Sequence, residues 1–163
     1  MKKIFVMLLL LVSPILAQVT KEDVKQAYRS RFPDRGAPRL TSSKTFPEAV
    51  PVGTLLDDRG IRFEGVYWRG QVLDLPEASA QLLSAAHYAE LPPAEKIKLL
   101  QAFLQEIRLP WETVVNVPMQ VKEEGQNLRV SLQILNPSGE SPSQKTRVFL
   151  MTPDLRLREV SGH

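Results

Sequence analysis

Asn127-Leu128-Arg129-Val130-Ser131-Leu132-Gln133-Ile134 alternates polar and apolar residues without a break. A repeat of two belongs to a β-strand with one face against a core, because successive side chains point to opposite sides. Upstream of it, Val115, Val117, Met119 and Val121 share one face of a preceding strand, and Glu123-Glu124-Gly125-Gln126 supplies the turn. Downstream, residues 145–151 and 155–160 read as two further strands joined by Thr152-Pro153-Asp154, where proline presets φ for a tight turn. About four strands with short connections predict an antiparallel meander covered on one face. Pro118 has no N–H to give a ladder, so its strand belongs at an edge. The longest connection, 136–144, is rich in serine, proline and glycine and reads as a surface loop.

Before the meander the period changes. Residues 77–90 carry Leu82, Leu83, Ala86 and Ala89 at helical spacing, and Pro92-Pro93 stops that helix and opens the next. In the second helix Ile97, Leu100, Leu104 and Ile107 recur at intervals of three and four, widened by Leu99 and Phe103. Still earlier, residues 61–68 and 71–75 flank Arg69-Gly70, a hairpin signal in which glycine accepts a positive φ. Gly65 inside the first of these strands marks a bulge or a close backbone approach. A strand is also expected over residues 50–56, followed by the turn Asp57-Asp58-Arg59-Gly60.

At the start of the chain, Lys2 and Lys3 precede an apolar run from Ile4 to Val12, and Ser13, Pro14, Ile15 and Leu16 lead to the small Ala17. A basic head, a short apolar stretch and a small final residue are the marks of a secretory signal peptide over 1–17. The stretch is shorter than the ~20 residues needed to span a bilayer, and cleavage after Ala17 would start the mature chain at Gln18, with no transmembrane segment left. Next comes a basic arm over 18–45. Thr20 and Asp23 have the spacing of a helix N-cap, Val24, Ala27 and Tyr28 give one apolar edge, and Phe32-Pro33 ends the helix. An extended linker to Lys44 follows. The expected architecture is α+β: a two-helix layer packed on an antiparallel meander of about four strands, preceded by a β-hairpin and a short N-terminal helix, with 46–163 as a single domain.

Composition removes whole classes of chemistry. Of 163 residues none is cysteine, which excludes thiol nucleophiles, disulfide frameworks and Cys-ligated zinc or iron–sulfur sites. GxSxG, GxxxxGK[ST], GxGxxG and HExxH are absent, so the usual serine hydrolase, nucleotide and zincin signatures are missing, and no cofactor or metal is expected. The formal charge of +3 falls to +1 once Lys2 and Lys3 are gone, and nucleic acid is not the expected partner of an exported, near-neutral chain. Yet residues 21–44 hold seven cations against three anions, leaving the remainder at −3. Such an arm either docks on its own domain or meets an anionic surface or an envelope protein.

Two sets of residues are candidates for function. A binding module would use Tyr67 and Trp68, which cannot both enter one core from neighbouring strand positions, together with Arg129, Arg147, Arg156 and Arg158 beside Phe149 on the polar side of the meander. A hydrolase acting on an envelope polymer would instead need carboxylates near Asp57, Asp58 and Glu64, with His87 as the acid–base group. His87 follows Leu83 by one helical turn and otherwise reads as a partly buried, hydrogen-bonded histidine; His163 is terminal and carries no role.

Overall fold

The computed structural model describes residues 19–56, 60–136 and 143–160. The expected signal peptide at 1–17, Asp57 and Asp58, residues 137–142 of the expected 136–144 loop and His163 lie outside them, whereas Asn136, Ser143 and Gln144, expected in that loop, belong to strands. Among the described residues the chain forms three α-helices and two antiparallel sheets of four and five strands, an α+β fold that contains the expected meander.

Helix α1, Lys21–Arg31, starts where the sequence places it. Thr20 is its N-cap: the Thr20 hydroxyl accepts from the Asp23 amide while the Asp23 carboxylate accepts from the Thr20 amide, and Phe32 closes the helix. The stretch expected as linker contains strand β1, Arg39–Leu40, which extends a sheet of order β1-β2-β3-β4 with β2 at Val50–Leu55, β3 at Ile61–Trp68 and β4 at Gln71–Leu73. The hairpin is thus half of a larger sheet. Arg69 and Gly70 have φ of 47° and 90°, the positive values that a two-residue hairpin turn requires at both positions. Opposite β2, Glu64 is the extra residue of a bulge, and a Cβ at the adjacent Gly65 would sit 2.4 Å from the Leu73 carbonyl oxygen. Bulge and close approach, weighed as alternatives, occur together.

The first sheet buries side chains on both faces. Val52, Tyr67 and Val72 meet Val24 and Tyr28 of α1 in one cluster, whereas Val66, Trp68 and Leu73 join the main core. Pleat geometry sends Tyr67 and Trp68 to opposite sides, and the basic arm covers the tyrosine. Helix α2, Leu75–Ala85, is capped by Asp74, whose carboxylate accepts from the Glu77 amide. It stops five residues before its expected end. His87 turns left-handed at φ 54°, and a short 3-10 turn at Tyr88–Glu90 tucks Tyr88 into the core, leaving Ala89 exposed. Helix α3, Pro93–Phe103, continues into a single wide turn over Leu104–Arg108, in which the Leu109 amide reaches the Leu104 carbonyl. Its buried stripe is Leu100, Phe103, Leu104 and Ile107, and Ile97, expected inside, is exposed.

Glu106, in that wide turn, ties down the start of the domain. Its carboxylate accepts from the Ser43 and Thr45 hydroxyls and from the amides of Lys44 and Thr45. Burial pushes the carboxyl up, but these donors outweigh it and hold its pKa below the usual glutamate value. The ion's stabilisation is therefore complete above the ordinary carboxylate range and fades as pH falls through the lowered value. Glu106→Gln is expected to cost about 1.5–3 kcal/mol at neutral pH, and the gap to the parent should narrow in acid; urea titrations at both pH values read it.

In the second sheet, β7 at Asn127–Asn136, β8 at Ser143–Met151 and β9 at Leu157–Val160 form the meander, while β5 at Thr113–Val114 and β6 at Gln120–Glu124 both pair with the free side of β7. Pro118 lies in the gap between these two edge pieces, so the edge it was expected to occupy is split at the residue that cannot donate. Val130, Leu132, Ile134, Phe149, Met151 and Leu157 face the main core. Strand β9 begins two residues late because Leu155 takes φ 65° and packs against the core from the turn.

Candidate functional site: the outer face of the second sheet

The hydrolase constellation finds no assembly. His87 is on the surface, its side chain 74% exposed, and its partner is Glu90 at 3.4 Å. It is therefore neither partly buried nor beside Glu64. The Glu64 side chain, only 8% exposed, is held by Arg35 at 3.1 Å, Arg62 at 2.8 Å and the Thr54 hydroxyl at 2.8 Å. Its two arginines and one hydroxyl neutralise it as a structural ion. Among the described residues no three His, Asp or Glu side chains are grouped so as to hold a metal ion.

The binding set divides. Tyr67 and Trp68 are 6% and 7% exposed, so they form no aromatic platform. Phe149 and Arg147 belong to the inner face: Phe149 is opposite Val130, and Arg147 is opposite Leu132. Arg147 donates to Glu112 and Glu159, and Arg108 donates to Glu159 as well. Burial would lower the Arg147 pKa, but the two carboxylates raise it beyond its ordinary value. This half-buried quartet pins β8 and β9 to the chain leaving α3. Arg156 lies in the turn, paired with Asp154 at 2.9 Å.

Arg129 and Arg158 remain on the outer face, and the register gives them a neighbour. Lys122 is directly opposite Arg129, Arg129 opposite Leu150, and Leu150 opposite Arg158. Directly opposed residues in antiparallel strands share a face, so one rung carries three cations across β6, β7 and β9, roughly 14 Å wide at ~4.8 Å per strand. Like charges placed opposite each other destabilise a sheet. The one anion close by is Glu124, at 3.4 Å from Arg129; Lys122 and Arg158 have no ion pair among the described residues. The rung beside it is neutral, running Gln120, Ser131, Val148, Val160. Farther along, Gln133 is opposite Thr146, and with Val117, Pro118, Gln120 and Ser131 they line a hollow of about 290 Å³ under the split edge.

None of these outward side chains belongs to either core cluster. The face is cationic along one rung, and the rung beside it sets Gln120 and Ser131 next to Val148, which is buried, and Val160. Lys122 and Gln120 were missed at the level of sequence because their positions depend on how β6 is registered against β7, and Thr146 because its position depends on how β8 is registered against β7. No protein-family model, curated protein or solved structure matches the chain.

Proposed function

We propose that this chain is a small exported binding module that holds an anionic ligand on the outer face of its second sheet. One observation carries the reading: three cations share a rung with a single ion-paired carboxylate among the described residues, although the chain after residue 44 has an excess of acidic residues. Opposing Lys122 to Arg129 costs stability that no partner of Lys122 among the described residues returns, which is the pattern of a surface shaped for an external anion. Export rests on the basic head, the apolar stretch and the small Ala17 of residues 1–17. The hydrolase alternative draws no support from His87 and Glu64, which are engaged elsewhere, and Asp57 and Asp58 lie outside the described residues.

The test is binding of the purified mature chain to a panel of polyanions and anionic vesicles, each beside a neutral counterpart. Binding to at least one anionic member should weaken as salt rises. Lys122→Gln and Arg158→Gln should each weaken it about fivefold, near 1 kcal/mol per cation at an anionic surface. Both variants should fold at least as stably as the parent, Lys122→Gln slightly more so because it relieves the repulsion with Arg129. Identical binding by parent and double variant, or binding to no anionic member, would overturn the proposal.

A further inference from the structure

The amino end of the mature chain is chemically reactive, and helix α1 begins directly behind it. We propose that the exported chain carries an N-terminal pyroglutamate at position 18, a lactam that blocks the end of the basic arm. This rests on the export part of the reading above, since cleavage after Ala17 is what frees the Gln18 α-amine.

Glutamine undergoes this reaction only as the first residue of a chain. Its free α-amine attacks Cδ of its own side-chain amide: a C–N bond forms and closes a five-membered ring, the bond from Cδ to the amide nitrogen breaks, and ammonia leaves with a proton from the attacking amine. No oxidant, reductant or added water takes part. An α-amine ordinarily titrates at about 7.7–8.0, so part of it is the uncharged nucleophile at neutral pH.

The start of α1 loses nothing when the ring closes. Val19 and Thr20 are exposed and precede the helix, whose first residue is Lys21, so a lactam at position 18 removes no helical hydrogen bond. Both carboxylates of the first turn are already engaged. Glu22 is paired with Lys25 at 2.7 Å, and Asp23 accepts from the amide and the hydroxyl of Thr20. A terminal ammonium would also oppose the helix dipole, whereas the lactam is neutral.

What the block protects is the cap. An enzyme that removes residues one at a time from a free α-amine would next meet Val19, 42% exposed, and then Thr20. Loss of Thr20 takes away the capping box of α1, the helix that lays Val24 and Tyr28 over Val52, Tyr67 and Val72 of the first sheet. A lactam presents no α-amine for such an enzyme to hold, so the exposed lead keeps its cap after export.

The experiment is intact mass and N-terminal sequencing of the exported chain, fresh and after incubation at neutral pH, followed by an aminopeptidase challenge. The expected mass is that of residues 18–163 less one ammonia, with sequencing blocked. The parent should resist the aminopeptidase. Exported Gln18→Ala, with the parent's thermal midpoint before the challenge, should lose residues from its amino end, and removing the lactam residue with pyroglutamyl peptidase should make the parent equally sensitive. A Gln18 amine still free after the incubation would overturn the lactam and leave export standing. A chain starting at Met1 would remove the export reading itself, and one starting at any other residue would overturn cleavage after Ala17 and the lactam with it. Gln18→Ala resisting as the parent does would overturn the protection of the cap.

Discussion

Leu132→Ala should lower the unfolding free energy by about 2–5 kcal/mol, whereas Ser131→Ala, one residue away, should change it by less than about 0.5 kcal/mol. Leu132 is buried on the inner face of β7, between Val130 and Ile134, in the cluster that also takes Phe103 and Leu104 from the second half of the helical layer. Truncating it removes apolar surface and leaves a cavity that close-packed neighbours on a sheet and a helix fill poorly. Arg147 across the ladder brings a guanidinium close to that space, and its bonds to Glu112 and Glu159 keep it from relaxing inward. Ser131 points the other way, onto a face where the solvent replaces whatever is removed. Urea unfolding of the two variants separates the faces. Equal losses would mean that the register of β7 is shifted by one.

That strand was legible because its pattern is local: each residue declares its side by polarity alone. The same holds for the capping pair Thr20 and Asp23 and for the Arg69-Gly70 turn, where short-range chemistry decides the backbone. What escaped the sequence depends on partners far along the chain. Arg147 reads as an outward residue because charge implies solvent, yet two carboxylates from other segments let it sit on the inner face. Ile97 reads as core by periodicity, but the helix stripe is set by Leu100 and Phe103 and passes it by. The early end of α2 has no proline or glycine to announce it; the five residues it gives up, about one and a half turns, go instead to a short turn that buries Tyr88.

The binding face shows the same division. Arg129 and Arg158 were readable as outward cations of alternating strands. Lys122 was not, because reading Glu123-Glu124-Gly125-Gln126 as the whole turn shifts β6 against β7. The observed ladder runs on to Glu124 opposite Asn127, with Gly125 at φ 65° making the reversal, and this alone places Lys122 against Arg129. A register step therefore turns two scattered arginines into a charged row.

Tyr28→Ala should be at least as damaging as the Leu132 truncation, about 3–5 kcal/mol, and Tyr28→Phe should cost nothing or add stability. Tyr28 is 0% exposed and stacks beside Phe32 at 5.2 Å between ring centroids, over Val52, Tyr67 and Val72 of the first sheet. Its hydroxyl is buried with no hydrogen-bond partner among the described residues, and burial, with Glu64 adding to it, pushes its pKa up. The ring therefore stabilises while the oxygen does not, which is why the phenylalanine variant separates packing from polarity. The same geometry decides what the basic arm is for. Its cations are partly spent inside the molecule: Arg35 holds Glu64, and Arg31 donates to the Val72 carbonyl at the edge strand β4, while its apolar residues cover a sheet face that would otherwise meet water. Deleting residues 18–45 should then remove α1 and β1 together, expose Tyr67, and lower the thermal midpoint by well over 10 °C for a chain of this length. A truncated chain with unchanged thermal midpoint and Trp fluorescence would show that α1 does not hold the first sheet and would return the arm to a role outside the molecule.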